Sequence, residues 1–350
     1  MAKAARKGKA KSKAATGRKT KAATTNKSKA GSANKGPLYL SETDVQRLVS
    51  VEDAITVLES LFATWPDPAT VNLPRQRART GKGNFNLMGA AWGAEEIFGL
   101  KAYYGAGGGR FHVLLYSSRD GSLKGMIEAD HLGRMRTGAA SGLATKILAK
   151  PEARTLGVIG AGRQALTQVA AVCAVRKIET VRVFARTPEH REAFAKQIER
   201  TLRVMAKPAT SAEAAIGDAD VVITITKSAE PVLRANWLKS GVHVNAAGAN
   251  AAERREIDAE TVLRATVRAT DHLAQARLEA GEYRELVAAG RLKWQDVVEL
   301  GDVLTGKAPG RRGPADITLF KSLGIALEDI AFADLIVRRA HEHGVGRPMP

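Results

Sequence analysis

The sequence predicts the α/β class, a doubly wound parallel sheet joined to a second, α+β unit. Two observations carry this. After Pro151, short apolar runs alternate with helical stretches, the pattern of βαβ units and a parallel sheet. Before it, from about Asn72 to Met126, alternating runs broken by glycine imply an antiparallel sheet with helices beside it. A chain of 350 residues accommodates two such domains. The expected division is a tail over 1–36, an α+β domain over 37–140 completed by 318–350, and a nucleotide-binding domain over 141–317.

Order is expected to begin near Pro37. Ser41-Glu42-Thr43-Asp44 and Ser50-Val51-Glu52-Asp53 each carry an N-cap serine with an acid three residues on, and so predict two helices. The second has Ala54, Ile55, Leu58, Leu61 and Phe62 at helical spacing and stops before Pro66. Asn84–Met88 reads as a strand. Phe111–Tyr116 and Leu123–Ile127, separated around Asp120-Gly121, read as a hairpin. A long helix is expected from about Asp130 to Lys150, with Leu132, Met135, Ala139, Leu143 and Ile147 on one face. The expected parallel strands are Thr155–Ile159, Thr180–Ala185, Val221–Thr226, His243–Ala246 and Thr266–Thr270, and Ile317–Ala340 is expected to close the chain as a helix.

The net charge of +18 divides unevenly. Residues 1–36 hold twelve Lys or Arg and no acid, which leaves 42 basic against 36 acidic side chains in the rest. That tail also lacks Leu, Ile, Val and Phe, so it has nothing to bury and is expected to be a disordered extension. Without aromatic residues to stack on bases, it supports at most weak, salt-sensitive attraction to nucleic acid. No apolar run is long enough to span a bilayer, so no membrane partner is expected. The single cysteine, Cys173, lies in an apolar helical stretch; it excludes an internal disulfide and fits a cytoplasmic compartment. His341 and His343 would diverge on a helix, and no metal site is expected.

The run Leu156-Gly157-Val158-Ile159-Gly160-Ala161-Gly162-Arg163-Gln164-Ala165 is a buried strand, a Gly-x-Gly-x-x-Ala turn and the start of an apolar helix. Gly160 permits the tight turn, Gly162 lets the backbone approach a pyrophosphate, and Ala165 lets helix and strand pack closely. Phosphates would rest on free N–H groups at the helix N-terminus. The domain is therefore expected to be of Rossmann type and to bind a dinucleotide, with Gly160, Ala161, Gly162, Arg163, Gln164 and Ala165 at the cofactor. The second strand ends Val183-Phe184-Ala185-Arg186-Thr187, with no carboxylate for a ribose 2′-hydroxyl. Arg186 and Thr187 suit a 2′-phosphate instead, which makes NADP(H) the expected cofactor and NAD(H) the alternative. Thr137, Thr226 and Ser322 complete the expected cofactor contacts.

At several segments together the sequence resembles the ornithine cyclodeaminase/mu-crystallin family. They are Gly99-Leu100-Lys101, Arg136-Thr137-Gly138-Ala139-Ala140-Ser141, the loop Gly160–Ala165, and Val244-Asn245-Ala246-Ala247-Gly248-Ala249-Asn250. Arg255-Glu256-Ile257-Asp258, Ala280-Gly281-Glu282 and Ser322-Leu323-Gly324-Ile325-Ala326-Leu327-Glu328-Asp329 add to them, and the likeness spans roughly residues 40–345. The resemblance implies a homodimer or higher homo-oligomer, with a substrate-binding and dimerisation domain facing a Rossmann domain. It implies NAD(P)(H) acting on small α-amino or α-imino acids.

The cations agree with a carboxylate substrate. Lys101 sits in the run Phe98-Gly99-Leu100-Lys101-Ala102-Tyr103, where strand alternation turns it inward, and a buried lysine needs an anion. By family position Arg136 resembles the arginine that takes the substrate carboxylate near the nicotinamide. Arg77 is the choice for a third cation, with Arg75 nearly its equal. Lys101 is also the expected proton relay. Where cyclodeaminating members carry an aspartate, this chain has Asn250, which cannot take a proton and suits orienting an imine or a water. Imine reduction of ketimine or pyrroline-2-carboxylate reductase type, or alanine dehydrogenase-type chemistry, therefore ranks above ornithine cyclodeamination. A non-catalytic, mu-crystallin-like binding protein is the third reading.

Overall fold

The computed structural model describes residues 36–65, 67–105 and 110–350; the expected basic tail lies outside them, apart from Gly36. The chain enters through β1 (Leu38–Leu40), α1 (Glu42–Leu48) and α2 (Val51–Thr64). Both helices begin with the expected capping boxes, Ser41 with Asp44 and Ser50 with Asp53. Then follow β2 (Val71–Thr80), β3 (Gly83–Trp92), β4 (Ile97–Tyr104), β5 (Phe111–Ser117) and β6 (Leu123–Glu128), a meander in which each strand pairs antiparallel with the next. With β1 and the terminal β15 (Arg347–Pro348) they form a seven-stranded sheet in the order β15-β1-β6-β5-β4-β3-β2.

The long helix α3 (Asp130–Leu148) crosses from this sheet to the next. Its first N–H groups, on Asp130 and His131, donate to the carboxylate of Glu42 on α1, a cap supplied from another helix. Fourteen of its nineteen residues are buried, so it is an interior helix and not an amphipathic surface one.

The second half supplies β7 (Thr155–Ile159), α4 (Ala165–Val175), β8 (Thr180–Phe184), α5 (Pro188–Leu202), β9 (Met205–Pro208), α6 (Ala212–Ile216), β10 (Val221–Thr224) and β11 (His243–Ala246). They are followed by α7 (Ala259–Arg264), β12 (Val267–Thr270), α8 (Leu273–Glu279), α9 (Gly281–Ala288), β13 (Val298–Glu299), α10 (Leu300–Leu304), β14 (Thr318–Lys321) and α11 (Ala326–His343). Eight parallel strands stand in the order β13-β12-β14-β11-β10-β7-β8-β9. The order reverses at β7, so the crevice for a ligand opens beyond the carboxyl ends of β7 and β10.

Two sequence expectations need correction. Ile317–Ala340 is not one helix: Thr318–Lys321 is a buried strand inserted between β11 and β12, and the helix begins only at Ala326. Gly324, at φ +69°, breaks the run between them. The short strands β9 and β13 were not anticipated; β13 has two residues, too few to show alternation. Among the described residues no helix is long and apolar enough to cross a membrane.

Candidate active site

The dinucleotide turn is built as its glycines require. Gly160 has φ +121°, and a Cβ there would collide with the carbonyl of Ile225 on the strand side. Beside Gly162 there is open space where a side chain would otherwise stand. Ala165 is fully buried at the start of α4, packed with Val158 and Val183. Within the turn Gln164 Oε1 is buried and has no hydrogen-bond partner among the described residues, and the same holds for Ser322 Oγ at the carboxyl end of β14, three strands along the sheet from β7. An open backbone approach at a helix N-terminus, with an orphaned polar atom on its N-cap residue Gln164, fits a bound dinucleotide. Arg163 pairs with Asp130 and lies over the ring of Phe111, 5.2 Å from its centroid. Arg186 and Thr187 are exposed at the end of β8. Thr137 and Thr226 are less available: their hydroxyls donate to Gly133 O (2.6 Å) and Glu256 Oε1 (2.8 Å).

The same Phe111 ring also borders the cations. Lys101 Nζ stands 5.6 Å from the Phe111 ring centroid and 5.9 Å from that of Tyr103. Lys101 occupies the inward register of β4 and is buried, as the strand alternation predicts. Its Nζ donates to Asp329 Oδ1 at 2.8 Å, and Arg136 Nε donates to the same oxygen at 2.9 Å. Arg136 Nη1 also donates to Glu328 Oε2 at 2.9 Å. Strand β4, helix α3 and helix α11 thus meet at one buried carboxylate. Arg75, shifted by the bulge in β2, joins them from below. It donates to Glu279 Oε2 (2.7 Å) and to the carbonyls of Leu323 (3.1 Å) and Gly324 (2.7 Å). The backbone N–H groups of Leu323 and Gly324 are held in turn by Asp271 Oδ2.

Electrostatics follow from this burial. Lys101 is pushed down to about 8, by removal from water and by Arg136 and Arg75, against the pull of Asp329. Burial also acts against the charge of Arg136, but Asp329 and Glu328 outweigh it and hold the guanidinium firmly protonated. Burial raises Glu328 to about 8 despite Arg136, with Asp271 and Asp329 adding to the rise. For Asp329, Arg136 and Lys101 together overcome burial and hold the carboxyl below its ordinary value.

The structure therefore gathers Lys101 and Arg136, and places the glycine loop one aromatic ring away. Of the two candidate third cations, Arg75 reaches this cluster, with a side chain 2% exposed, while Arg77 is 32% exposed. Arg77 stands one carboxylate further out, on Glu279 Oε1 (2.5 Å) and the backbone carbonyl of Asn250 (2.7 Å). Asn250 is thereby tied to the rim of the cluster through Arg77 and Glu279. The loop before it is pinned by Glu256, which accepts from the N–H groups of Thr226, Gly248 and Ala249.

Sequence reasoning missed the carboxylates: Asp271, Glu279, Glu328 and Asp329 in the cluster, and Glu256 behind it. A signal existed for two of them. Glu328 and Asp329 interrupt the otherwise apolar run Ile325–Phe332, and adjacent acids inside a buried helix must have cationic partners.

A sequence profile described as the ornithine cyclodeaminase/mu-crystallin family matches residues 36–344. The chain belongs to this family. Among curated family relatives, it is 37% identical over 235 residues to the Delta(1)-pyrroline-2-carboxylate reductase of Bacillus cereus, covering 67% of this chain and 72% of that protein. To the iminosuccinate reductase of Paracoccus denitrificans it is 30% identical over 322 residues, covering 89% and 98%. The fold matches the Thermococcus litoralis Delta(1)-pyrroline-2-carboxylate reductase, solved with NADH and L-proline, at a TM-score of 0.85 and 31% identity, over 89% of this chain and 100% of that one.

Proposed function

We propose that this member of the family is an NAD(P)H-dependent oxidoreductase that reduces the C=N bond of a small α-imino carboxylate. The observation that carries the reading is the meeting of Lys101 and Arg136 on one buried oxygen of Asp329, one aromatic ring from the dinucleotide loop. Arg136 and Arg75 hold the substrate carboxylate. Lys101 Nζ, whose proton is loosened by burial, moves that proton to the substrate nitrogen. Residues from β2, β4, α3 and α11 fix the imine in place, and catalysis by orientation follows. The cofactor, when bound, supplies the hydride. Asn250 carries neither charge nor removable proton and serves to orient substrate or water.

The test is cofactor oxidation followed at fixed pH with pyrroline-2-carboxylate, piperideine-2-carboxylate, iminosuccinate, and pyruvate plus ammonia. Turnover of at least one is expected. Proline and ammonia formed from ornithine with no net cofactor change would sink the reductase reading in favour of a cyclodeaminase; no turnover of any would leave a binding protein.

NADP(H) is the preferred cofactor in this reading. Arg186 is exposed, has no hydrogen-bond or ion-pair partner among the described residues, and no carboxylate stands at the end of β8 to take its place. Residues 37–140 with α11 form the substrate half, and residues 141–317 with β14 the dinucleotide half.

The protein works as a homodimer joined through the outer face of the seven-stranded sheet. One face of that sheet packs on α11 through Met88, Ala90, Ile97, Val113 and Leu115. The other presents Val71, Leu73, Phe85, Leu87, Phe98 and Tyr104, all exposed. A sheet apolar on both faces needs both covered.

A further inference from the structure

The cluster around Asp329 poses a charge problem. Among the described residues it holds four cations, Arg75, Arg77, Lys101 and Arg136, and four carboxylates, Asp271, Glu279, Glu328 and Asp329. With every group ionised the cluster is neutral, and nothing remains to attract a substrate carboxylate. One of the four acids is held far less well than the rest. Asp271 accepts from the N–H groups of His272, Leu323 and Gly324, Glu279 from Arg75, Arg77 and Gln275, and Asp329 from Lys101 and Arg136. Glu328 is fully buried and accepts only from Arg136; its Oε1 has no partner, and although Asp329 Oδ2 has none either, Asp329 is offset by two cations on Oδ1. The groups that face it are Arg136 from α3, Asp271 from the segment before α8, and Asp329 beside it on α11. Lys101 on β4, Arg75 on β2 and Glu279 on α8 lie beyond these.

We propose that Glu328 is a charge-setting positioning residue: it stays protonated in the working enzyme, so that Arg136 keeps a surplus positive charge for the carboxylate of the substrate. The inference rests on the reading that this cluster receives a carboxylate. A buried carboxyl with one accepted hydrogen bond and two acidic neighbours is the cheapest of the four to neutralise. Burial raises its pKa in the same sense. When the proton leaves, Glu328 neutralises Arg136 internally and the site loses its anion affinity. Glu328 thus acts on binding through Arg136 and needs no contact with the reacting atoms.

The variant Glu328→Gln mimics the protonated acid and still offers an oxygen to Arg136 Nη1. The probe is pyrrole-2-carboxylate, a planar, unreactive carboxylate, titrated calorimetrically at pH 7 and pH 9 in buffers of different ionisation enthalpy. At pH 7 wild type and E328Q bind within a few-fold of each other. At pH 9 E328Q binds about tenfold tighter than wild type and takes up fewer protons, since one linked proton is worth about tenfold per pH unit. Lys101 titrates in both proteins and cancels in the comparison. Infrared difference spectra at pH 7 carry a protonated-carboxyl C=O band in wild type that is missing from E328Q.

A large loss of affinity at pH 7 in folded E328Q, or equal proton uptake by the two proteins, overturns the proposal. Should E328Q fail to fold, wild type decides: binding at pH 9 without proton uptake overturns it. None of these readouts needs turnover, so a chain that binds the probe as described but reduces no imine refutes the proposed reaction and leaves Glu328 in its role.

Discussion

Arg136 lies against the bare α-carbon of Gly324, so close that a Cβ at that position would collide with its guanidinium. The same glycine sits at φ +69° and gives its carbonyl to Arg75, so one residue without a side chain seats two of the cations.

Gly324→Ala is therefore expected to be costly twice over. Left-handed strain and a displaced arginine together cost about 1–3 kcal/mol of stability. The substrate carboxylate KM is expected to rise more than kcat falls, because in the proposed reaction Arg136 binds and does not react. Denaturant melts and steady-state kinetics check both; a variant with normal KM would show that Arg136 is not a carboxylate ligand.

The two neighbouring arginines of β2 should behave differently. Arg75→Met leaves Glu279 buried without the one of its two cations that is itself buried, a loss of about 3–5 kcal/mol. Arg77→Met removes a partly exposed pair and costs about 1 kcal/mol or less. Urea unfolding midpoints of the two variants, compared with wild type, measure the gap; equal losses would contradict the placement of Arg75 inside the cluster.

As the proposed proton source, Lys101 is expected to set the alkaline side of the pH profile. Its proton is present below about 8 and lost as pH rises through that value, well before an ordinary lysine would release it. The kcat for imine reduction is expected to fall along that limb. Lys101→Met lowers kcat by about a hundred- to ten-thousandfold, the usual worth of a positioned acid. A wild-type kcat flat to pH 10 would remove Lys101 as the proton source.

At the far end of the cofactor, Arg186→Ala should raise KM for NADPH by about ten- to a hundredfold, the worth of a charged hydrogen bond, with little change for NADH. Initial rates with each cofactor provide the check, and an equal effect on both would assign Arg186 no role in choosing between them.

The outer sheet face gives a prediction about assembly. Leu87→Asp with Phe98→Asp places charge in the middle of the exposed apolar face without touching the core side of β3 or β4. Sedimentation analysis is expected to show a dimer for wild type and a monomer for the double variant. A dimer unchanged by both charges would place the interface elsewhere.

Local chemistry made much of the fold legible. Capping boxes at Ser41 and Ser50, alternation through Lys101 and the glycine turn at Gly160 are short-range signals, and each appears where it was expected. β14 was not legible, because four apolar-to-basic residues before a helix read as its first turn; only pairing with β11 and β12 defines them as a strand. The candidate site was half legible. Cations announce themselves in apolar runs, but Glu279 meets Arg75 across 204 residues of sequence and Asp271 meets Gly324 across 53, so neither pairing exists before the chain folds. Choosing between Arg75 and Arg77 required the bulge in β2, which no pattern in the sequence marks.

The stretch from Thr318 to Asp329 leaves the parallel sheet as β14, passes Ser322 and Gly324, and enters α11 with Glu328 and Asp329. Eleven peptide bonds thus join the two halves with no linker between them. The two sheets are not modules: a chimaera cut anywhere in this stretch would separate the parallel sheet from the carboxylates that hold Lys101 and Arg136. Recombination among relatives should preserve function only when Thr318–Asp329 is inherited intact, from one parent, together with the α3 that carries Arg136.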